Sequence, residues 1–281
     1  GPVEAVEALP EVHGREGRKA PGLVARRSVS TMTDLAACDR NLAEATARTV
    51  GAYGRVERAA DLTMGASGFP AAFFNAAVAT GPSADPGALL DRLGSFFGGL
   101  PHQLWLRDGL DGGLTDAALR RGLVVAGGPP LLVLDELPTD PPMPAELAVA
   151  VVTEADRAEV TTMSAIGNGM PPHFAGTYLP ADMLAGADDA AVVVGRVDGE
   201  AVTTAMVVVT DGAAGIYAVS TVPEHRGRGY GAAITWAAVE EGRRRGATWS
   251  VLQASSMGQG VYERMGYRVM GRYSFIGPRT P

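Results

Sequence analysis

The run Ala218-Val219-Ser220-Thr221-Val222-Pro223-Glu224-His225-Arg226-Gly227-Arg228-Gly229-Tyr230-Gly231 decides how this chain is read. Ile216 to Val222 is apolar and β-branched, the composition of a strand, and Pro223 ends it. A glycine-rich turn follows, and a helix is expected over Gly229 to Arg245. Such a junction aims several backbone N–H groups without intrahelical partners at one point, and the helix dipole adds to their field. Glycine permits the tight turn and the close approach of an anion. Arg226 and Arg228 add positive charge, so the segment reads as a phosphate or pyrophosphate site. The spacing excludes two other phosphate-binding designs. A dinucleotide fingerprint needs Gly-x-Gly-x-x-Gly, whereas these glycines fall at 227, 229 and 231, and a P-loop needs a Gly-Lys-Ser or Gly-Lys-Thr that is absent here.

Downstream of this helix a strand is expected at Thr248 to Leu252, a helix at Ser256 to Met265 and extended chain from Val269 to Ile276. Upstream lie a strand at Leu147 to Val152, a helix at Glu154 to Gly167 capped by Thr153, a short helix at Pro180 to Gly186, and a hairpin of Ala191 to Val197 and Ala201 to Thr210 around Asp198-Gly199. Pro138, Pro141, Pro142 and Pro144 make 138–147 the best linker in the chain. It separates 32–137 from 148–281. In the first half, Asp34 caps a helix to about Gly51, and Val56 to Thr63 reads as one short strand. Phe73-Phe74-Asn75 lies in a short apolar segment of either type. Pro86 begins a helix that Gly98-Gly99 stops, and Gln103 to Arg107 is a strand. Thr115 caps a short helix, and two strands, Leu123 to Ala126 and Leu131 to Leu134, flank a Gly-Gly-Pro-Pro turn. A central strand running into a long helix argues for an α/β layer structure.

Composition narrows the function. The chain has 281 residues, 46% of them apolar, enough for two well-buried domains. Its formal net charge of -7 speaks against a nucleic-acid partner, which requires a basic face, and permits a cationic one. One cysteine, Cys38, excludes an intrachain disulfide, and four histidines beside it offer no zinc pattern. No apolar run is long enough for a membrane span, and no secretory signal is visible, so a cytoplasmic protein without membrane contact is expected. Gly1-Pro2 resembles the remnant of a cleaved tag, and 1–31 reads as a leader or arm rich in Gly, Pro, Arg and Glu.

The central run resembles the acyl-CoA signature of the GNAT superfamily, Arg or Gln-x-x-Gly-x-Gly or Ala, with Arg226, Gly229 and Gly231 at its fixed positions. Leu252-Gln253-Ala254-Ser255-Ser256 and then Val261-Tyr262-Glu263-Arg264-Met265-Gly266-Tyr267 resemble the family's second landmark, a helix carrying a Tyr shortly before a Gly-Phe or Gly-Tyr pair. The resemblance implies a GNAT fold, a mixed central sheet flanked by helices. It also implies a direct transfer from acetyl-CoA to an amine. In this reading the loop N–H groups of Arg226, Gly227, Arg228, Gly229, Tyr230, Gly231 and Ala232 hold the pyrophosphate. The pantetheine arm pairs with Ser220, Thr221 and Val222, with Ser255 close by. The N–H of Val222 is expected to hold the oxyanion, and Tyr262 to protonate the leaving thiolate. No general base is assigned, since Gly215 to Val222 carries no carboxylate; Glu224, His173 and Tyr178 are the nearby candidates for substrate contact. Ser67-Gly68-Phe69-Pro70, Phe74-Asn75, Leu104-Trp105-Leu106 and Thr115-Asp116-Ala117 resemble an atypical N-terminal GNAT-like half. That half lacks a phosphate loop, so the expectation is two tandem copies, the first degenerate and shaping the acceptor pocket. A small-molecule amine is the expected partner. A peptide acceptor and a non-catalytic CoA-binding sensor or scaffold are the alternatives, and the chain is expected to be a monomer or homodimer.

Overall fold

The computed structural model describes residues 34–51, 53–169, 183 and 187–279. Thr33–Pro281 forms one compact unit. Its helices are α1 (Leu35–Gly51), α2 (Pro86–Phe97), α3 (Gly112–Arg120), α4 (Arg157–Gly167), α5 (Tyr230–Arg244) and α6 (Gln259–Arg264). Its strands are β1 (Arg55–Arg58), β2 (Leu62–Ala66), β3 (Asn75–Ala79), β4 (Gln103–Arg107), β5 (Val124–Leu134), β6 (Ala148–Val151), β7 (Ala190–Val197), β8 (Glu200–Thr210), β9 (Ala213–Thr221), β10 (Trp249–Gln253) and β11 (Arg268–Gly277).

Among the described residues these strands form one 11-stranded sheet in the order β1-β2-β3-β4-β11-β5-β10-β9-β8-β7-β6. The order is a palindrome apart from β6. In the first half β2 and β3 are antiparallel, and β3 and β4 are parallel neighbours joined through α2. In the second half β8 and β9 are antiparallel, and β9 and β10 are parallel neighbours joined through α5. A parallel pair requires a crossover, and a helix supplies it in both. Each half then exports its last strand: β11 lies antiparallel against β4, and β5 against β10. The two exported strands pair with each other at the centre. The proline segment therefore joins two similarly built halves that share one sheet.

One face of the second half is covered by α5, whose Ile234, Ala238 and Val239 pack on Val193, Ala205 and Val207. The other face carries α4 and Ala45 of α1, packed on Val192, Val194, Met206 and Val208, the alternation that a sheet buried on both sides demands. Helix α1 also reaches the centre and the first half, where Cys38 and Leu42 meet Val78, Leu131, Val133 and Tyr273. Polar groups fix it there. Asn41, fully buried, donates through Nδ2 to Val208 O (3.1 Å) and Thr210 Oγ1 (2.8 Å), and accepts from the Tyr217 hydroxyl. Asp39, also buried, accepts from Arg107 Nε at 3.0 Å and from the Tyr273 hydroxyl at 2.8 Å. Desolvation, and then the neighbouring Asp39, push the Cys38 thiol up to about 12, consistent with a core cysteine rather than a nucleophile.

Three local expectations are corrected. Val56 to Thr63 is a tight hairpin of β1 and β2 rather than one strand. The cap of α3 is Asp111, whose carboxylate accepts from Leu114 N, and Thr115 lies inside the helix. Gly127-Gly128-Pro129-Pro130 makes no turn but lies within β5. Pro130 faces the β10 side, where the ladder covers only Leu131 to Leu134, and Pro129 faces β11 at the register irregularity between Arg272 and Ser274, so neither missing N–H breaks a regular ladder. The short helix expected over 180–186 lies outside the described residues except for Met183, which is helical and buried.

Candidate active site

The turn between β9 and α5 takes the backbone conformation that its glycines suggested. Gly227 and Gly229 have φ of 76° and 85°, the left-handed region that side chains disfavour. Gly229 is the N-cap of α5 and offers no side-chain cap. The first intrahelical bond is Ala233 N to Gly229 O, 3.0 Å. None of the consecutive N–H groups from Gly227 to Ala232 donates to another described residue. They form a run of free donors at a helix N-terminus, a ready anion cradle.

The side chains around this loop are less available than the sequence suggested. Arg226 is turned back: its Nε donates to Thr221 O (3.1 Å) and an Nη to Gly167 O (2.7 Å), clamping the loop to the end of β9 and to the C-terminus of α4. Arg228 stays exposed, with one Nη on Glu224 O at 3.4 Å. Tyr230 is buried among Leu147, Val202 and Ala233, with its hydroxyl on Glu146 at 3.0 Å, so only its backbone faces the cradle. Gly231 and Ala232 contribute the next two N–H groups.

Strands β9 and β10 pair only as far as Ile216 and Leu252. Beyond Ile216 β9 no longer pairs with β10 and the sheet splits there, Arg226 taking the Thr221 carbonyl at its far end. On its other edge β9 has a bulge: Met206 faces Tyr217 and Thr204 faces Ser220, so Ala218 and Val219 both lie opposite Ala205. Ala218 has a φ of 51°, which re-aims the backbone at the split. Ser220 is buried, its hydroxyl donating to Ser164 O at 3.3 Å, and Thr221 shares a 2.9 Å hydrogen bond with Thr203. Val222 N donates to Val202 O at 3.0 Å. That bond removes Val222 as an oxyanion donor, because its N–H is spent within the sheet.

A cavity of about 360 Å³ opens at the split. One wall comes from the first half through α1 (Leu42, Thr46, Thr49), Phe73, Phe74 and Trp105; the other comes from Ile216 to Val219, Leu252, Gln253, Ser255 and Tyr262. Ser255 is exposed on its rim and caps the approach to α6, accepting from Gly258 N at 3.1 Å. Tyr262 on α6 stacks edge-on to Tyr267, with ring centroids 6.0 Å apart. Burial pushes its hydroxyl up to about 12, against a hydrogen bond with Thr235 of α5 that lowers it. Glu224 sits in the 3-10 turn Pro223–His225, exposed and outside the cavity wall. His173 and Tyr178 lie outside the described residues. The sequence reading quoted Trp105 and Gln253 only within family-like motifs and assigned neither to the site, and it missed Tyr217 and the Ala218–Val219 bulge.

The fold and site define a class: a strand splits from its parallel neighbour and runs into a glycine loop and helix whose free N–H groups face the split. Residues 179–270 match the family model described as an acetyltransferase (GNAT) domain. A GCN5-related N-acetyltransferase from Kribbella flavida aligns over 86% of this chain and 96% of its own, with a TM-score of 0.65 and 24% identity. A tandem GNAT protein from the clavulanic acid biosynthesis pathway aligns over 77% of each chain, with a TM-score of 0.56 and 16% identity. A GCN5-related N-acetyltransferase from Sphaerobacter thermophilus gives a TM-score of 0.54 at 15% identity, over 77% of this chain and 76% of its own. At these identities the likeness is one of fold. No curated protein sequence matches the chain. Residues 179–270 thus carry the match to the GNAT domain model, and the chain as a whole shares the fold of these GNAT structures.

Proposed function

We propose that the protein transfers an acetyl group from acetyl-CoA to the amine of a small molecule. The observation that carries this reading is the run of free N–H donors from Gly227 to Ala232 beside the stretch of β9 that no longer pairs with β10. The donors and the α5 dipole fit a pyrophosphate. The β9 edge between Tyr217 and Thr221 suits an extended amide-bearing arm, which adds to a sheet edge as a strand does. Among the described residues only one such loop is present, so one acetyl-CoA per chain is expected. The cavity fed by both halves favours a small acceptor over a peptide, which would need an open groove.

The chain's contribution to the transfer is positional and electrostatic. With Val222 engaged, the bulge at Ala218–Val219 supplies the backbone N–H for the charge that develops on the thioester oxygen, since a bulged residue has no ladder partner. Tyr262, held at about 12, keeps its proton at any working pH. It surrenders that proton to a thiolate of ordinary basicity, near 8.5, only against a gradient, so its main role is to donate a hydrogen bond to the departing sulfur. Isothermal titration with acetyl-CoA, followed by thiol release with an amine panel, tests the reading. No heat of binding at millimolar acetyl-CoA would reject it.

A further inference from the structure

We propose that the acceptor is an aromatic amine that is uncharged at neutral pH, seated in the cavity at the sheet split with a polar group on the Gln253 amide; this rests on the acetyl-transfer reading above. Three observations point there. First, the described residues lining the cavity include no Asp, Glu, Lys, Arg or His. Among the described residues an alkylammonium would meet no counter-charge and no carboxylate or imidazole to remove its proton, both of which are costly in a desolvated site. An aromatic amine has its lone pair delocalised into the ring, is unprotonated at pH 7, and needs neither. Second, the walls are rich in rings, with Trp105 and Phe74 from one half facing Tyr217 and Tyr262 from the other, a surface suited to a flat aromatic guest. Phe73, 58% exposed, lines the same cavity. Third, Gln253 Nε2 is buried without a partner, in a wall that is otherwise largely apolar. A buried amide left unpaired is costly, and a ligand group that pairs with it removes the cost.

The step balances without a protein base. The amine lone pair forms the C–N bond, the C–S bond breaks with its electron pair going to sulfur, and the proton lost from nitrogen ends on that sulfur. The products are the amide and free thiol.

The test compares aniline with cyclohexylamine, matched in ring size but neutral and cationic respectively at pH 7, by thiol release from acetyl-CoA with the full chain. The expected result is a kcat/KM for aniline higher by at least about tenfold. Aniline should also quench tryptophan fluorescence, and Trp105→Phe should remove the quench. Gln253→Glu, which places a carboxylate in the wall, should shift the ratio about tenfold toward cyclohexylamine. Equal or better turnover of cyclohexylamine by the wild type overturns the inference. So does acetyl-CoA binding without turnover of aniline, which leaves the cofactor reading intact. Failure of acetyl-CoA to bind overturns both. The wild-type comparison stands even where Gln253→Glu does not fold.

Discussion

Gly229→Asp separates the phosphate cradle from a mere turn. At Gly229 a Cβ meets nothing within 4 Å, but the φ of 85° is left-handed. The substitution is therefore not a steric wedge. Its folding cost is that of one L-residue in this region, about 1–2 kcal/mol, with Asp toward the low end. For a domain of this size that is a fall of roughly 2–8 °C in Tm, which leaves the protein folded. Binding suffers far more. The new carboxylate would sit at the N-cap of α5, beside the N–H groups of Gly227 to Ala232. With a phosphate charge about 5 Å away and an effective dielectric constant near 20, the repulsion is about 3 kcal/mol, roughly a hundredfold or more in affinity. Gly229→Asn is the control, since it has the same shape and tolerates the left-handed region without charge. Isothermal titration of acetyl-CoA with both variants, at low ionic strength to avoid screening, gives the comparison. The expected order is wild type, then Asn, then Asp far behind. Unchanged affinity in a folded Gly229→Asp, or equal losses for Asn and Asp, would refute the cradle.

Tyr262→Phe should lower the single-turnover transfer rate at least about tenfold while acetyl-CoA affinity stays the same; equal rates would leave Tyr262 a packing residue. Because the Tyr262 hydroxyl lies at about 12, its donor form persists as pH rises through 10, so the rate should show no falling limb there. A decline with a midpoint near 10 would mean the hydroxyl is not desolvated. Equilibrium titration should give one acetyl-CoA per chain, and two tight sites would show that the first half carries a second cradle. Gly215→Ala should destabilise strongly, since its Cβ would lie 1.7 Å from Asn41 Oδ1 and 2.7 Å from Tyr217 Cε2. Overpacking and disturbed Asn41 hydrogen bonds together cost about 3 kcal/mol, or roughly 6–12 °C in Tm by calorimetry. A loss under about 2 °C would show that Asn41 does not anchor α1.

Features set by near neighbours in the chain were legible in the sequence. Gly227 and Gly229 adopt the left-handed conformations that the turn needs, Asp34 caps α1 with its Oδ1 3.0 Å from Ala36 N, and Asp198-Gly199 turns the β7–β8 hairpin. Each depends on local backbone sterics and on hydrogen bonds a few residues long. The resemblance that named the GNAT fold rested on the same kind of contiguous signal. What the sequence could not reveal depends on partners far away in the chain. Pro129-Pro130 looks like a turn until β11 supports one edge of β5 and β10 stops short of the prolines on the other. Val222 looked free until β8 claimed its N–H, and Arg226 looked like a phosphate ligand until Gly167 and Thr221 accepted from it. The cavity itself exists only because α1 and Trp105 of one half face β9 and α6 of the other, a pairing made through the exchange of β5 and β11. Local propensity sets the conformation of a residue; which face, edge or lone pair remains open for chemistry is decided by long-range packing, and only the tertiary structure carries that information.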